Sequence, residues 1–235
     1  MIGRVVDDQF ESAREYVAQH HMDFILKIAS LIPAENYQKT AEEIVTALLT
    51  VLCNATLSPT CGKAIPYSVS LRLLSFLKDL EVGDNVAKIG LMCLSNLSYY
   101  YSLQNTQLDE IVVAAGPILT GVLFQCDSEA SLEASRTLGN MSLIPAGRRW
   151  LETHQVDDLC IILLGHEDLR LVYNSYGVLI NMSAHEDSSL YKSQEKLSLV
   201  LQRTAVHALH KAEEIRQLVD ALLRNIQSNM ILDDT

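Results

Sequence analysis

Apolar and polar residues follow one another along this chain with a helical period, and the pattern itself returns every 41 to 44 residues. Each copy ends in Leu, any residue, Asn and an apolar residue, usually followed by Ser or Thr. This register places the copies at Asn54, Asn96, Asn140, Asn181 and, more weakly, Asn225. Small or apolar residues lie six positions before each Asn, so one face of each helix is suited to packing. A repeat of this length, sustained along the chain, is typical of a helical solenoid.

Each repeat is predicted to consist of helices, the last of which carries the register Asn. In the third repeat we expect a helix break at Gly116 and Pro117. Near the C-terminus we expect helices over 197–214 and 215–226. We predict one all-α domain over 1–235, with an N-terminal cap and first repeat at 1–57, repeats at 58–98, 99–142 and 143–183, and a degraded repeat with a cap at 184–235.

Composition favours packed helices and a protein partner. At 235 residues and 49% apolar the chain can bury a substantial core, and with 6% aromatic residues this core must be mainly aliphatic. The net charge of −11 argues against nucleic acid or an anionic membrane as the main ligand, because both require a local excess of Lys and Arg. A basic protein segment is the more natural partner. The most apolar run, 111–124, is too short to cross a bilayer, and the N-terminus has no secretory pattern, so we expect neither a membrane span nor export.

Cysteine usage points to a reducing compartment. The five cysteines are odd in number, irregularly spaced and mostly within apolar runs: Cys53, Cys61, Cys93, Cys126 and Cys160. We interpret them as buried thiols rather than as disulfides, which places the chain in the cytoplasm.

Two stretches resemble a known family. Residues 132–142, Leu-Glu-Ala-Ser-Arg-Thr-Leu-Gly-Asn-Met-Ser, and residues 177–187, Gly-Val-Leu-Ile-Asn-Met-Ser-Ala-His-Glu-Asp, resemble the C-terminal armadillo region of the ciliary family called armadillo repeat-containing protein 2. Residues 222–227 are similar to the tail of that family, and the resemblance covers roughly the last 150 residues. It implies a right-handed α-solenoid of four to five armadillo-like repeats with atypical terminal caps. It also implies a role in building motile cilia and flagella, notably in placing radial-spoke components on the axoneme.

The register Asn residues are the core of a predicted binding groove. Each lies roughly 200° around the helix from the Leu two positions earlier, so we expect it to face away from the packed side. In armadillo proteins that hold extended peptides, such an Asn bonds the ligand backbone, since an amide offers both a donor and an acceptor. The alternative is that these Asn residues bond helix ends or neighbouring repeats. The candidate groove residues are Asn54, Asn96, Glu133, Arg136, Asn140, Tyr173, Asn174, Gly177 and Asn181.

One departure argues against a nuclear-import adaptor. Adaptors of that class place a Trp four residues before the Asn to stack on lysine side chains. This chain has Thr50, Met92, Arg136 and Gly177 at those positions. We therefore expect no lysine pockets of that type.

Other motifs are weaker. Four of the register positions satisfy the glycosylation pattern Asn-x-Ser/Thr, but they lie in predicted packed helices and we interpret them as repeat residues. His207 and His210 share a helical face with Glu213 and Glu214, but nothing nearby completes a metal site, so a solvated face is expected. No phosphate-binding loop or nucleophile signature occurs, and we expect neither a cofactor nor catalysis.

Two function classes fit these features. The first is a non-enzymatic protein-interaction scaffold, cytoplasmic and associated with the axoneme of a cilium or flagellum, with axonemal or radial-spoke components as partners. The alternative is a soluble armadillo regulatory or chaperone-like subunit that binds an enzyme or a small GTPase. Neither class requires nucleic acid, a membrane or a small-molecule substrate.

Overall fold

The structure of this protein is a computed structural model that describes residues 8–33, 42–81, 84–101, 108–125, 128–185, 188–208 and 212–232. Across these ranges the regular structure is helical and contains no strand. The chain forms two compact units, the N-terminal unit Met1–Thr137 and the C-terminal unit Leu138–Thr235, and the division falls inside a helix.

The helices follow one another with short connections. The N-terminal unit contains α1 (Asp8–His20), α2 (Met22–Leu31), α3 (Glu42–Ala55), α4 (Pro59–Ala64), α5 (Tyr67–Leu77), α6 (Asn85–Ser98), α7 (Leu108–Phe124) and most of α8 (Ser128–Met141). The C-terminal unit continues with α9 (Pro145–Thr153), α10 (Val156–Leu163), α11 (Leu169–Ser183), α12 (Ser189–Lys192), α13 (Gln194–His207) and α14 (Glu213–Leu232). The register Asn residues lie in α3, α6, α8, α11 and α14, which we call the Asn helices.

Side-chain caps begin several helices. Ser58 caps α4, because its hydroxyl accepts from the backbone N–H of Cys61 at 3.2 Å. The carboxylate of Asp168 accepts from the N–H of Arg170 at 2.9 Å at the start of α11, and Ser193 caps α13 in the same way. Such caps satisfy backbone donors that the first turn of a helix leaves unpaired.

The core of the N-terminal unit is aliphatic, as the composition predicts. α6 packs on α3, and α5 packs on both α6 and α7. These helices fully bury Leu49, Leu52, Leu73, Leu91 and Leu94. Each fully buried Leu contributes about 1.5–3 kcal/mol to the free energy of unfolding relative to an exposed one. The packing of these helices is therefore a main source of stability in the unit.

The C-terminal unit has an equivalent core. α14 packs on α11, α11 packs on α10, and α13 contacts both α10 and α14. The fully buried side chains include Val172, Tyr176 and Leu179 of α11, Val200 of α13 and Leu222 of α14. The Asn helices therefore form the interior of this unit.

The expected helix break at Gly116 and Pro117 is wrong, because α7 runs without interruption from Leu108 to Phe124. Pro117 has no N–H to donate to the carbonyl of Val113, which normally weakens a helix. Buried apolar residues on both sides of the proline, such as Ile111 and Leu119, hold the two halves of α7 in the core. Tertiary packing here outweighs the local effect of proline.

The other boundaries differ by smaller amounts. The short helix α4 is absent from the expected elements, although Ser58 and Pro59 form an ordinary helix start. The boundary expected between residues 214 and 215 is also wrong. α13 ends at His207, and α14 begins at Glu213 and continues to Leu232.

Candidate protein-binding surface

The register Asn residues join neighbouring Asn helices. In the N-terminal unit, Nδ2 of Asn96 donates to the carbonyl oxygen of Cys53 and to the hydroxyl of Thr56, both at 3.3 Å, at the end of α3. Asn96 is only 4% exposed, so these hydrogen bonds are buried. The hydroxyl of Thr56 in turn donates to the carbonyl of Cys53 at 2.7 Å. We call this arrangement of one amide, one carbonyl and one hydroxyl an amide joint.

The same joint recurs around Asn181 in the C-terminal unit. Nδ2 of Asn181 donates to the hydroxyl of Ser142 at 2.8 Å and to the carbonyl of Gly139 at 3.3 Å. The hydroxyl of Ser142 donates to the carbonyl of Gly139 at 2.7 Å. The acceptors lie one residue before and two residues after the preceding register Asn, as they do for Asn96.

A third joint closes on the last helix. Nδ2 of Asn225 donates to the carbonyl of Ile180 at 3.1 Å and to the hydroxyl of Ser183 at 3.0 Å. One turn further along α14, Nδ2 of Asn229 donates to the carbonyl of Ser183 at 3.0 Å and to the hydroxyl of Tyr191 at 3.1 Å. The predicted last helix ended at 226, so the sequence pattern gave no reason to expect a role for Asn229.

These joints explain why the repeat reads Asn-x-Ser/Thr. The Asn bonds the helix before it, and the Ser or Thr two positions later receives the Asn of the helix after it. The expectation that the register Asn faces away from the packed side is wrong for Asn96. The reason is angular: an Asn lies about 60° from the residue three positions earlier, and in α6 that residue, Cys93, is fully buried. The structure shows the alternative, bonding between repeats, for Asn96 and Asn181.

Asn54 differs from these. Asn54 is exposed, and its Nδ2 donates to the carbonyl of Thr50 in its own helix at 3.0 Å. Asn140 is half-buried on the last turn of α8. Asn54 thus lies at a free surface of α3.

Glu133 and Arg136 form an ion pair on α8. Nη1 of Arg136 donates to both carboxylate oxygens of Glu133, at 2.9 and 2.8 Å. The Glu133 side chain is 10% exposed and that of Arg136 is 38% exposed, so the two opposite charges neutralise each other at a partly buried site. The pair lies near Cys53, whose pKa is raised to about 11 by burial and by the charge of Glu133, with Arg136 acting in the opposite direction. The structure therefore brings Cys53, Asn96, Glu133 and Arg136 to one region of the N-terminal unit.

Four candidates lie together on α11. Tyr173, Asn174, Gly177 and Asn181 are all half-buried and lie within two turns of one another. A Cβ atom built on Gly177 would meet no atom within 4 Å, so the helix has open space at this point. We call these four residues the α11 shelf. It offers an aromatic ring and an amide beside a gap that a ligand backbone can approach closely.

The thiols have the environment that the sequence predicted, as far as they are described. Cys53, Cys61, Cys93 and Cys160 are buried and free, and Cys126 lies outside the described residues. Burial raises the pKa of Cys160 to about 12 and also raises those of Cys61 and Cys93. Thiols with raised pKa values are poor nucleophiles at neutral pH.

The histidine cluster is not assembled in the described part of the chain. Nδ1 of His207 lies 2.9 Å from the hydroxyl of Tyr176, and His210 lies outside the described residues. Among residues that are described, no group of three or more His, Cys, Asp or Glu side chains could hold a metal ion. None of the described helices is long and apolar enough to span a bilayer.

A buried charge cluster in the C-terminal unit had no signal in the sequence. Asp157 is fully buried, and its Oδ2 accepts from Nζ of Lys196 at 2.6 Å and from the hydroxyl of Ser189 at 2.7 Å. Lys196 also pairs with Asp158 at 2.9 Å. These partners lie more than 30 residues apart, so no local pattern connects them. The cluster ties the start of α10 to α12 and α13.

Solved structures of known proteins define the class of fold. No family model matches the chain. A designed armadillo repeat protein has a TM-score of 0.68 at 14% identity, covering 92% of this chain and 91% of its own. A second designed armadillo repeat protein, solved in complex with the peptide (KR)4, has a TM-score of 0.67 at 15% identity, covering 94% of this chain and 95% of its own. The fold is an all-α solenoid of the armadillo type, and the predicted fold class is confirmed.

The particular resemblance follows from curated relatives. The chain is 26% identical over 155 residues to armadillo repeat-containing protein 2 from Mus musculus, and 24% identical over 158 residues to the protein of that name from Homo sapiens. These alignments cover 64% and 66% of this chain but only 18% of the relatives' length. The resemblance predicted from the sequence is thereby confirmed at modest identity.

Proposed function

We propose that this protein is a non-enzymatic scaffold that binds a protein segment on the α11 shelf. The observation that supports the proposal is the open space at Gly177, flanked by half-buried Tyr173 and Asn174. A glycine inside a helix costs about 1 kcal/mol relative to Ala, and this one gains no packing within the chain. Because glycine has no side chain, only a glycine at position 177 allows a ligand backbone to approach the helix closely.

The joints determine which polar groups such a ligand meets. The Nδ2 donors of Asn96 and Asn181 are already bonded to the preceding Asn helix. The ligand therefore meets the ring of Tyr173 and the open space at Gly177, rather than a row of free Asn amides. This differs from the groove expected from the sequence.

The ligand should be a basic segment. The chain carries a net charge of −11, and one solved armadillo neighbour is in complex with the peptide (KR)4. The positions that stack lysine side chains in import adaptors hold Thr50, Met92, Arg136 and Gly177, so the recognition cannot rely on Trp stacking. Charge attraction and hydrogen bonding should provide the affinity, and binding should weaken as salt increases.

The cellular setting that we propose is the motile cilium or flagellum. It rests on the similarity to armadillo repeat-containing protein 2, with axonemal or radial-spoke components as the partners. The competing class is a soluble regulatory subunit that binds an enzyme or a small GTPase. The two classes differ in the partners they would recover from ciliated cells.

A pair of matched glycine variants tests the shelf. Gly177→Trp fills the open space on α11, whereas Gly121→Trp fills open space on α7, where a Cβ also meets no atom within 4 Å. Partners captured from ciliated and unciliated cells should be quantified for wild type and both variants, with Arg136→Ala in parallel for the Glu133–Arg136 region. Loss of axonemal proteins with Gly177→Trp alone supports both the shelf and the ciliary setting.

Three outcomes would contradict parts of this proposal. Equal recovery with wild type and Gly177→Trp removes the α11 shelf as the binding site. Recovery of soluble signalling enzymes from both cell types, lost with Gly177→Trp, keeps the shelf but assigns the alternative class. If partner recovery is lost with Arg136→Ala and not with Gly177→Trp, the binding site lies in the N-terminal unit.

A further inference from the structure

α3 exposes a face that every other Asn helix buries. Counting back from the register Asn, the positions three, six and ten residues earlier in α3 are Val51, Leu48 and Ile44. Ile44 is 67% exposed, Val51 is 41% exposed and Leu48 is half-buried. We call these residues together with Asn54 the open face of α3.

The equivalent positions in the other Asn helices are buried. In α6, α8, α11 and α14 the residues at these three positions are buried, and apart from the glycine they are at most 3% exposed. They are Val86, Gly90 and Cys93 in α6; Ala130, Ala134 and Thr137 in α8; Leu171, Ser175 and Val178 in α11; and Ile215, Val219 and Leu222 in α14. The apolar character of this face is therefore a packing feature, and in α3 it faces solvent.

The joints show what packs on such a face. α6 packs on α3, and α14 packs on α11, in each case with the later helix donating its Asn amide to the earlier one. The earlier helix supplies a main-chain carbonyl and, three residues later, a Ser or Thr hydroxyl. Asn54 instead donates to its own helix, at the carbonyl of Thr50.

We propose that the open face of α3 docks an α-helix of a partner protein. This helix has an apolar ridge and, near its C-terminal end, an accepting main-chain carbonyl followed three residues later by a Ser or Thr hydroxyl. The proposal continues an established contact, because the partner helix would occupy on α3 the place that α3 occupies on α6. Asn54 would exchange its bond within α3 for a new amide joint. This interface is separate from the α11 shelf and does not depend on it.

The neighbouring helix adds to the apolar surface. α2 packs on α3 and exposes Phe24 at 60% and Leu31 at 58%, two turns apart. Large exposed apolar residues are thus present on both α2 and α3, and a cluster of such residues is typical of an interaction site.

The chain's own last helix does not have the required chemistry. The position of the acceptor hydroxyl, two residues after Asn225, is Gln227. The exposed side of α14 also carries Gln217, Asp220 and Arg224, which are polar or charged. Head-to-tail stacking of a second copy would bury these groups without partners, so a different helix is the better occupant.

The test uses a helical peptide with the acceptor chemistry. A peptide of residues 42–58, held helical by a hydrocarbon staple on its solvent side, presents the carbonyl of Cys53 and the hydroxyl of Thr56 that Asn96 meets in the chain. Its binding to the full chain is measured by fluorescence anisotropy. Ile44→Glu with Val51→Glu should weaken binding at least tenfold, and Asn54→Ala about fivefold. Val113→Glu, at a 63% exposed valine on α7, is the matched control and should leave binding unchanged.

A double-mutant cycle isolates the joint itself. Thr56→Val in the peptide and Asn54→Ala in the chain should each weaken binding, and the combination should cost little more than either alone. Circular dichroism of every variant checks that the fold is intact. Absence of binding to wild type, or equal binding to wild type and Ile44→Glu with Val51→Glu, overturns the proposal. A wild-type dimer in light scattering that becomes monomeric with Ile44→Glu and Val51→Glu also overturns it, since the face would then belong to a second copy.

Discussion

The side-chain amide of Asn181 donates a 2.8 Å hydrogen bond to the hydroxyl of Ser142, 39 residues earlier in the chain. Ser142 is fully buried, and Asn181 is half-buried. The bond repeats at the same register positions in the other joints. An amide at this point is therefore part of the framework of the protein.

Removing the amide should destabilise the chain. Asn181→Ala should lower the free energy of unfolding by about 1–3 kcal/mol, because a buried hydroxyl and a carbonyl lose a shared donor. Urea denaturation followed by circular dichroism measures this. Asn54→Ala, which removes an amide that bonds only its own helix at an exposed site, should change the free energy of unfolding by less than about 0.5 kcal/mol. Equal losses for the two variants would show that the joint contributes nothing special.

Replacing glycine by alanine should raise the stability of the chain at some positions and lower it at another. Gly177→Ala and Gly121→Ala should each stabilise the chain by up to about 1 kcal/mol, because alanine favours helix and meets no atom at either site. Gly147→Ala should destabilise it, because the new Cβ would lie 2.0 Å from the carbonyl oxygen of Met141. Thermal melting of the three variants side by side gives the comparison. A lower melting temperature for Gly177→Ala would show that a neighbour occupies that space.

Removing the half-buried Lys196 should lower the free energy of unfolding more than removing the exposed Arg170. Lys196→Met leaves the fully buried Asp157 without its cation and should cost about 3–5 kcal/mol. The control is Arg170→Met, which breaks the more exposed pair with Asp168 and should cost about 1 kcal/mol or less. Guanidinium denaturation distinguishes the two. A small effect of Lys196→Met would indicate that water or another group reaches Asp157.

Thiol protonation predicts an alkaline decline in stability. Burial raises the pKa of Cys53 from an ordinary value of 9.0 to about 11, so the folded chain holds the proton more tightly than the unfolded chain. The thiol therefore stabilises the fold below about pH 9, and this contribution is lost as the pH rises toward 11. Cys53→Ser should make the fall in unfolding free energy between these pH values shallower. An unchanged slope would show that Cys53 is not responsible.

Thiol reactivity provides an independent measurement. In a Cys126→Ser background, the four buried cysteines should react slowly with a disulfide reagent at pH 8 and rapidly in guanidinium. Rapid reaction of one thiol without denaturant would show that its part of the core opens locally.

The sequence predicted the helices well where periodicity and caps agree. A helix carries each register Asn as expected, and in α11 the cap at Asp168 and the unbroken apolar face agree. Periodicity does not report what lies on the far side of a helix, so the continuation of α7 through Pro117 was missed. Long-range pairs such as Asp157 with Lys196 leave no local trace. The binding role of the α11 shelf stays a prediction.

The register Asn residues show a more general difficulty. A helical wheel places Asn96 away from Leu94, and by that measure it should face solvent. The same wheel places Asn96 about 60° from the buried Cys93, and the end of α3 lies close enough to bond the amide, so Asn96 is covered.

The amide joint also gives the repeats a direction. In each of the three joints the later helix contributes the donor and the earlier helix the acceptors, so the two sides of an Asn helix are chemically different. Gln227 stands where the other Asn helices carry the acceptor hydroxyl. Two successive Asn helices therefore cannot exchange places without losing the bond between them.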